Sequence, residues 1–191
     1  RGLGDVYKRQ DDGSTAVSLA DHVNAQFDQS LSWDDIEWFK QHWGRKIVLK
    51  GIQTIEDAKL SVQHGVDAIA LSNHGGRQLD DAPNPIDLVQ PVFNAVGGQV
   101  EIFCDGGIRR GSDIVKAIAL GADACMIGRP FLYGLGAAGE KGVDWVLNFL
   151  KEGMHQTMAL LGAKSLTDLN PDLIETRHKA VSYTHLRAHE T

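Results

Sequence analysis

From Lys46 onward the chain alternates short apolar runs with stretches whose apolar residues recur every three or four positions. The first run, Ile47-Val48-Leu49, closes at Lys50-Gly51. Thr54 then opens a predicted helix, with Asp57 three residues on as a weaker form of the capping box. Ile55, Ala58 and Val62 give that helix one apolar face, and Gly65 stops it. The second run, Ala68 to Leu71, ends at Ser72, and after the Pro83/Pro85 loop a helical stretch runs from Ile86 to Val96. The third run, Val100 to Cys104, ends at Asp105-Gly106-Gly107. A helix over Ser112–Leu120 follows, with Ile114, Ala117 and Ile118 inward and Gly121 as its stop. The fourth run, Ala124 to Ile127, ends at Gly128-Arg129. Beyond it, Val143, Val146, Leu147, Leu150, Met154, Met158 and Leu161 fall at helical spacing, the methionines reading as core filler.

Four apolar strands separated by helices imply a parallel sheet, because parallel neighbours need a long crossover. An internal echo supports the reading: Gly65-Val66-Asp67-Ala68 and Gly121-Ala122-Asp123-Ala124 both mark a helix stop before a strand. The fold class is α/β, either a doubly wound sheet or half of a (β/α)8 barrel, and periodicity alone fits both. Glycines and charged residues gather at the C-terminal end of every strand, where ligands bind in either architecture. Upstream, Ser32 with Asp35 forms an N-cap signal before an amphipathic helix facing inward with Ile36, Phe39 and Trp43. Residues 11–30 read as a loop or short helix. Residues 1–10 and 181–191 do not extend the pattern and resemble translated sequencing-adapter read-through, so the expected natural segment is 11–180.

Composition narrows the function classes. At 191 residues the chain is long enough for one domain. A net charge of −6, with no basic cluster, argues against nucleic acid as a partner. The longest apolar stretch, Phe131 to Gly139, falls short of the roughly 20 residues a bilayer span needs. Cys104 and Cys125 each sit inside a strand run and read as buried free thiols of a reducing compartment. The expected location is the cytoplasm.

The chemistry concentrates at the strand ends. Asp105-Gly106-Gly107-Ile108-Arg109, followed one strand later by Gly128-Arg129, reads as a phosphate site. Glycines let backbone N–H groups approach an anion, a helix N-terminus adds favourable dipole, and the arginines add charge-assisted bonds. His74 and Arg77 lie three residues apart in a glycine-containing loop directly after a strand. Histidine is a general base near neutral pH, and the planar guanidinium of Arg77 suits a carboxylate. His22, His42, His64, His155 and His178 lack such company and read as solvated surface residues. Lys50 closes an apolar strand, an expensive place for an ammonium unless it meets an anion.

Ser72-Asn73-His74-Gly75-Gly76-Arg77-Gln78 resembles the signature of the FMN-dependent α-hydroxy-acid dehydrogenases and oxidases. The likeness runs from about Phe27 to Ile174 and is nearest to bacterial L-lactate dehydrogenases. It implies the C-terminal half, the last four βα units, of a TIM (β/α)8 barrel with FMN as cofactor. It also implies oxidation of a 2-hydroxy acid, L-lactate first, to a 2-keto acid. By the same resemblance His74 is the catalytic base and Arg77 grips the substrate carboxylate. Lys50 would lie near the flavin N1 and O2 side, and Ser72 would contact the isoalloxazine. Asp105, Gly106, Gly107, Ile108 and Arg109 would hold ribityl and phosphate groups, with Gly128 and Arg129 completing the cradle. A quinone, a cytochrome or oxygen would accept the electrons. The parent enzyme would be a homo-oligomer, in the cytoplasm or peripheral at the inner membrane. The family's first four strands supply a tyrosine, a second arginine, further flavin contacts and an aspartate that orients the histidine. With these missing, the fragment is expected to be inactive. Two other readings stay open on sequence alone. One is a different phosphate-binding barrel, such as the inosine-monophosphate dehydrogenase or type 2 isopentenyl-diphosphate isomerase groups, which would not need the His74–Arg77 pair. The other is a non-catalytic fragment.

Overall fold

The computed structural model describes residues 30–175, so the two ends expected to be foreign lie outside the described residues. The chain divides into two compact units, residues 1–42 and 43–191. The described part of the first holds all but the last residue of helix α1 (Asp35–Trp43), entered through the expected cap: Ser32 N–H and Oγ donate to Asp35 Oδ2 at 2.7 and 3.1 Å. Its expected apolar face is only partly realised. Ile36 is buried, but Phe39 and Trp43 are exposed.

The second unit holds the alternation read from the pattern. Strands β1 (Val48–Ile52), β2 (Ala68–Ser72), β3 (Glu101–Asp105) and β4 (Ala124–Met126) form one parallel sheet in the order β1-β2-β3-β4. Between and after them lie α2 (Ile55–Gln63), α3 (Pro85–Val96), α4 (Gly111–Ala119) and α5 (Arg129–Leu161). A doubly wound sheet reverses its strand order at a switch point. Here order in space follows order in sequence without reversal, the arrangement of a barrel wall. β2 is buried along its whole length, whereas the edge strands β1 and β4 are partly open.

The internal echo has a structural cause. Asp67 Oδ2 accepts from Ile47 N–H at 2.8 Å, and Asp123 Oδ2 accepts from Ile102 N–H at 2.7 Å. In each case the aspartate just before a strand pins the base of the preceding one. Thr54 caps α2 as expected, accepting from Asp57 N–H at 3.0 Å.

The last helix begins earlier than its apolar pattern implied. It starts at Arg129 and breaks at Ala138 and Gly139, so a first stretch precedes the amphipathic one. Glycines conceal that first stretch in the sequence, and packing explains them: a methyl on Gly142 would meet Gly134 O at 1.9 Å. Two helical segments touch backbone to backbone there.

Helices α4 and α5 meet equally closely. Val115, Ala119, Met158 and Leu169 form a core cluster, with Met154 packed against it, so both methionines are the filler expected of them. A methyl on Gly111 would lie 2.0 Å from Met154 N and 2.2 Å from Gly153 C, backbone atoms that cannot swing aside. Gly111→Ala is therefore expected to destabilise the chain by about 2–3 kcal/mol, the upper range for overpacking. Urea unfolding checks this, and an unchanged midpoint would show that the helices can separate freely.

Candidate functional site

All the site residues read from the sequence, except Ser72, line one cavity of about 690 Å³ at the C-terminal ends of the strands. Lys50 comes from β1, His74 and Arg77 from the loop after β2, and Asp105 to Arg109 from the turn after β3. Gly128 and Arg129 come from the start of α5. The register explains the convergence: Lys50 pairs with Ala70, and Ser72 with Asp105, so successive strands deliver polar groups to one rim. Just past Lys50 the register shifts at Gly51, whose φ of 100° admits a bulge that an L side chain would strain.

Lys50 meets the anion that its position demanded. Its Nζ lies 2.7 Å from Asp105 Oδ2 and donates to Ser72 Oγ at 3.1 Å. Ser72 Oγ in turn donates to Asp105 Oδ2 at 2.6 Å, directly beneath the cavity. Burial pushes the Asp105 carboxyl upward, but the Lys50 ammonium and the Ser72 hydroxyl outweigh it, with help from the charge of His74. The net result lies below the ordinary value of 3.8. A carboxyl lowered by folding stabilises the fold above its unfolded value, and the contribution is lost as pH falls through the folded value. Urea midpoints should therefore drop on acidification below about pH 4. Asp105→Asn should remove that part of the pH dependence; an identical acid limb in both proteins would refute the assignment.

His74 sits in an unusual backbone state. Its φ is 56°, and Gly75 and Gly76 follow at 69° and 71°. For a non-glycine residue the left-handed region costs roughly 1–2 kcal/mol, so neighbouring contacts must hold it. Gly76 N–H donates to Asn73 O at 3.0 Å and to Asn73 Oδ1 at 3.2 Å. Arg129 reaches across from the next strand–helix junction, its Nη2 donating to Gly75 O at 2.8 Å. His74 N–H donates to Ser72 Oγ at 3.0 Å.

The turn after β3 carries the anion-binding features. Asp113 Oδ2 accepts from Arg109 N–H and Arg110 N–H, both at 2.9 Å, which fixes the start of α4. Methyl groups at Gly107 or Gly128 would meet nothing within 4 Å, so the backbone there is open to a ligand. With Arg109 and Arg129 on the same cavity wall, this donor set fits a phosphate. Leu132 and Tyr133, on the first turn of α5, also line the cavity. Neither was singled out from the sequence, because that turn was not read as helical. The only available signal was their spacing of three and four residues from Arg129. Cys104 and Cys125 are free, with burial first among the causes that push their thiols up to about 11 and about 12.

The model of one protein family, described as FMN-dependent dehydrogenase, matches residues 4–176. The chain belongs to that family. Proteins similar to it include the 2-hydroxyacid oxidase 1 of Mus musculus, 48% identical over 86% of this chain and 44% of that one. The protein of Mycobacterium tuberculosis named "Putative L-lactate dehydrogenase" is 50% identical over 81% of this chain and 37% of that one. The solved structure of a monotopic membrane protein, (S)-mandelate dehydrogenase, superposes with a TM-score of 0.77 at 43% identity. That superposition covers 82% of this chain and 41% of the other. The chain thus spans less than half the length of the relatives it matches, and its four βα units are half of a (β/α)8 barrel. Among the described residues no helix is long and apolar enough to cross a membrane.

Proposed function

We propose that the parent enzyme oxidises an L-2-hydroxy acid, L-lactate to pyruvate first among them, and that these residues form its cofactor-facing half. The observation that carries the reading is the convergence of His74, Arg77 and the Lys50–Asp105 pair on one cavity with a phosphate-fitting turn. A barrel that bound only a phosphate would need no His74–Arg77 pair.

FMN, when bound, supplies a two-electron acceptor. Arg109, Arg129 and the backbone at Gly106, Gly107, Ile108 and Gly128 would hold its phosphate end, and Lys50 would face its negative side. Arg77 binds the substrate carboxylate through two parallel hydrogen bonds, a geometry its guanidinium favours. His74 accepts the proton that the 2-hydroxy acid gives up on becoming a 2-keto acid. The same reading takes the parent enzyme as a homo-oligomer, in the cytoplasm or peripheral at the inner membrane; a similar solved protein, (S)-mandelate dehydrogenase, is a monotopic membrane protein, which supports the peripheral placement. A quinone, a cytochrome or oxygen takes the electrons onward.

The test is anaerobic. Full-length enzyme carrying yellow FMN should bleach on addition of L-lactate and yield one pyruvate per flavin. If the flavin bleaches with no 2-hydroxy acid, the proposal fails.

A further inference from the structure

Ser72 closes β2 with only 1% of its surface exposed, yet its hydroxyl has three polar partners. It donates to Asp105 Oδ2 and accepts from Lys50 Nζ and from the backbone N–H of His74. A hydroxyl has one proton and two lone pairs, so its capacity is fully used.

We propose that Ser72 is a positioning residue: its oxygen ties the Lys50–Asp105 ion pair to the His74 backbone and holds the left-handed turn that presents the imidazole to the cavity. The consequence for catalysis rests on the reading of His74 as the base, whereas the tie itself stands on geometry alone.

Three contacts hold the turn, and they are not equivalent. Asn73 grips it at Gly76, and Arg129 grips it at Gly75. Both of those residues are glycines, which adopt positive φ without steric penalty. His74 is the one member of the run for which this backbone state is unfavourable, and the Ser72 oxygen holds its amide. That oxygen also joins groups from three successive strands: Lys50 from β1, Ser72 itself from β2 and Asp105 from β3. A disturbance at the ion pair therefore reaches the His74 backbone through one shared atom.

The experiment measures amide hydrogen exchange on the full 191-residue chain. Ser72→Ala removes the acceptor, and Ser72→Cys keeps nearly the same volume but accepts hydrogen bonds poorly. Both should speed exchange at the His74 amide by about tenfold or more, while the Ile69 and Ala70 amides of the same strand keep their protection. Ser72→Thr retains the hydroxyl and should return His74 exchange to within about threefold of the original. The proposal is overturned by unchanged His74 exchange in the Cys variant, by equal acceleration at Ile69 and Ala70, or by a Thr variant that behaves like Ala. Failure of the catalytic reading would appear elsewhere, as undiminished turnover after replacement of His74 in the completed enzyme. The exchange rates would stand regardless.

Discussion

Mixed with a polypeptide carrying the upstream half of one of its relatives, the 191-residue chain is expected to pass from negligible to measurable L-lactate oxidation. Its flavin affinity should rise by at least about a hundredfold, or roughly 2.7 kcal/mol. The reason is what half a barrel leaves uncovered. β2 and β3 have neighbours on both sides, but β1 and β4 are the two ends of the sheet. Edge strands present unpaired N–H and C=O groups, a template for aggregation unless they are paired. The register places Val48, Ala68, Glu101 and Phe103 on the face that also carries Lys50 and Asp105. Val48 is 47% exposed, whereas barrel interiors are normally filled by layers of such side chains. Fully covering one apolar side chain of this size is worth about 1.5–3 kcal/mol, so completing the barrel changes stability substantially. Flavin fluorescence quenching and lactate-dependent bleaching, with and without the upstream half, provide the measurement. An isolated chain that held one flavin per molecule and bleached on L-lactate would overturn the expectation.

The fold was legible where burial enforces a period. The runs ending at Ser72 and Asp105 carry apolar residues packed between neighbouring strands, and in all four runs the turn residues follow directly. Barrel and doubly wound sheet were not distinguishable by periodicity, since both alternate strand and helix. Strand order separates them, and order is a long-range property. The first stretch of α5 was illegible for another reason. Gly134 and Gly142 look like loop residues in sequence, yet each is there because another backbone lies where its side chain would be. Phe39 and Trp43 show the converse: they keep helical spacing with Ile36 but are exposed.

The site divides along the same line. Its members were legible from residue type and position at strand ends, but their mutual arrangement was not. The expense of placing Lys50 at an apolar strand end pointed to an anion without naming it. The partner proved to be Asp105, which sequence reasoning had given to the cofactor's ribityl and phosphate groups. The contact between Arg129 and Gly75 joins residues 54 positions apart, which no local pattern encodes.

Replacement of His74 in the completed enzyme should have the second large effect, and the choice of replacement decides what is learned. Alanine would remove the imidazole but also place an unsuitable residue at a φ of 56°. Loss of the loop and loss of the base would then be mixed. Asparagine tolerates the left-handed region better than most residues and carries no group that titrates near neutral pH. His74→Asn should therefore keep the turn, the Ser72 contact and flavin binding while lowering kcat by about 10²–10⁴, the usual contribution of general acid–base catalysis. That loss corresponds to roughly 3–5 kcal/mol of transition-state stabilisation. KM should stay within a few-fold, because the substrate carboxylate is assigned to Arg77. Arg77→Lys gives the opposite split: the ammonium keeps the charge but not the planar fork, so KM should rise more than kcat falls. If His74→Asn raised KM and left kcat intact, His74 would belong with Arg77 among the substrate-binding residues. The loop after β2 would then be a binding element, and the base would have to lie on another strand.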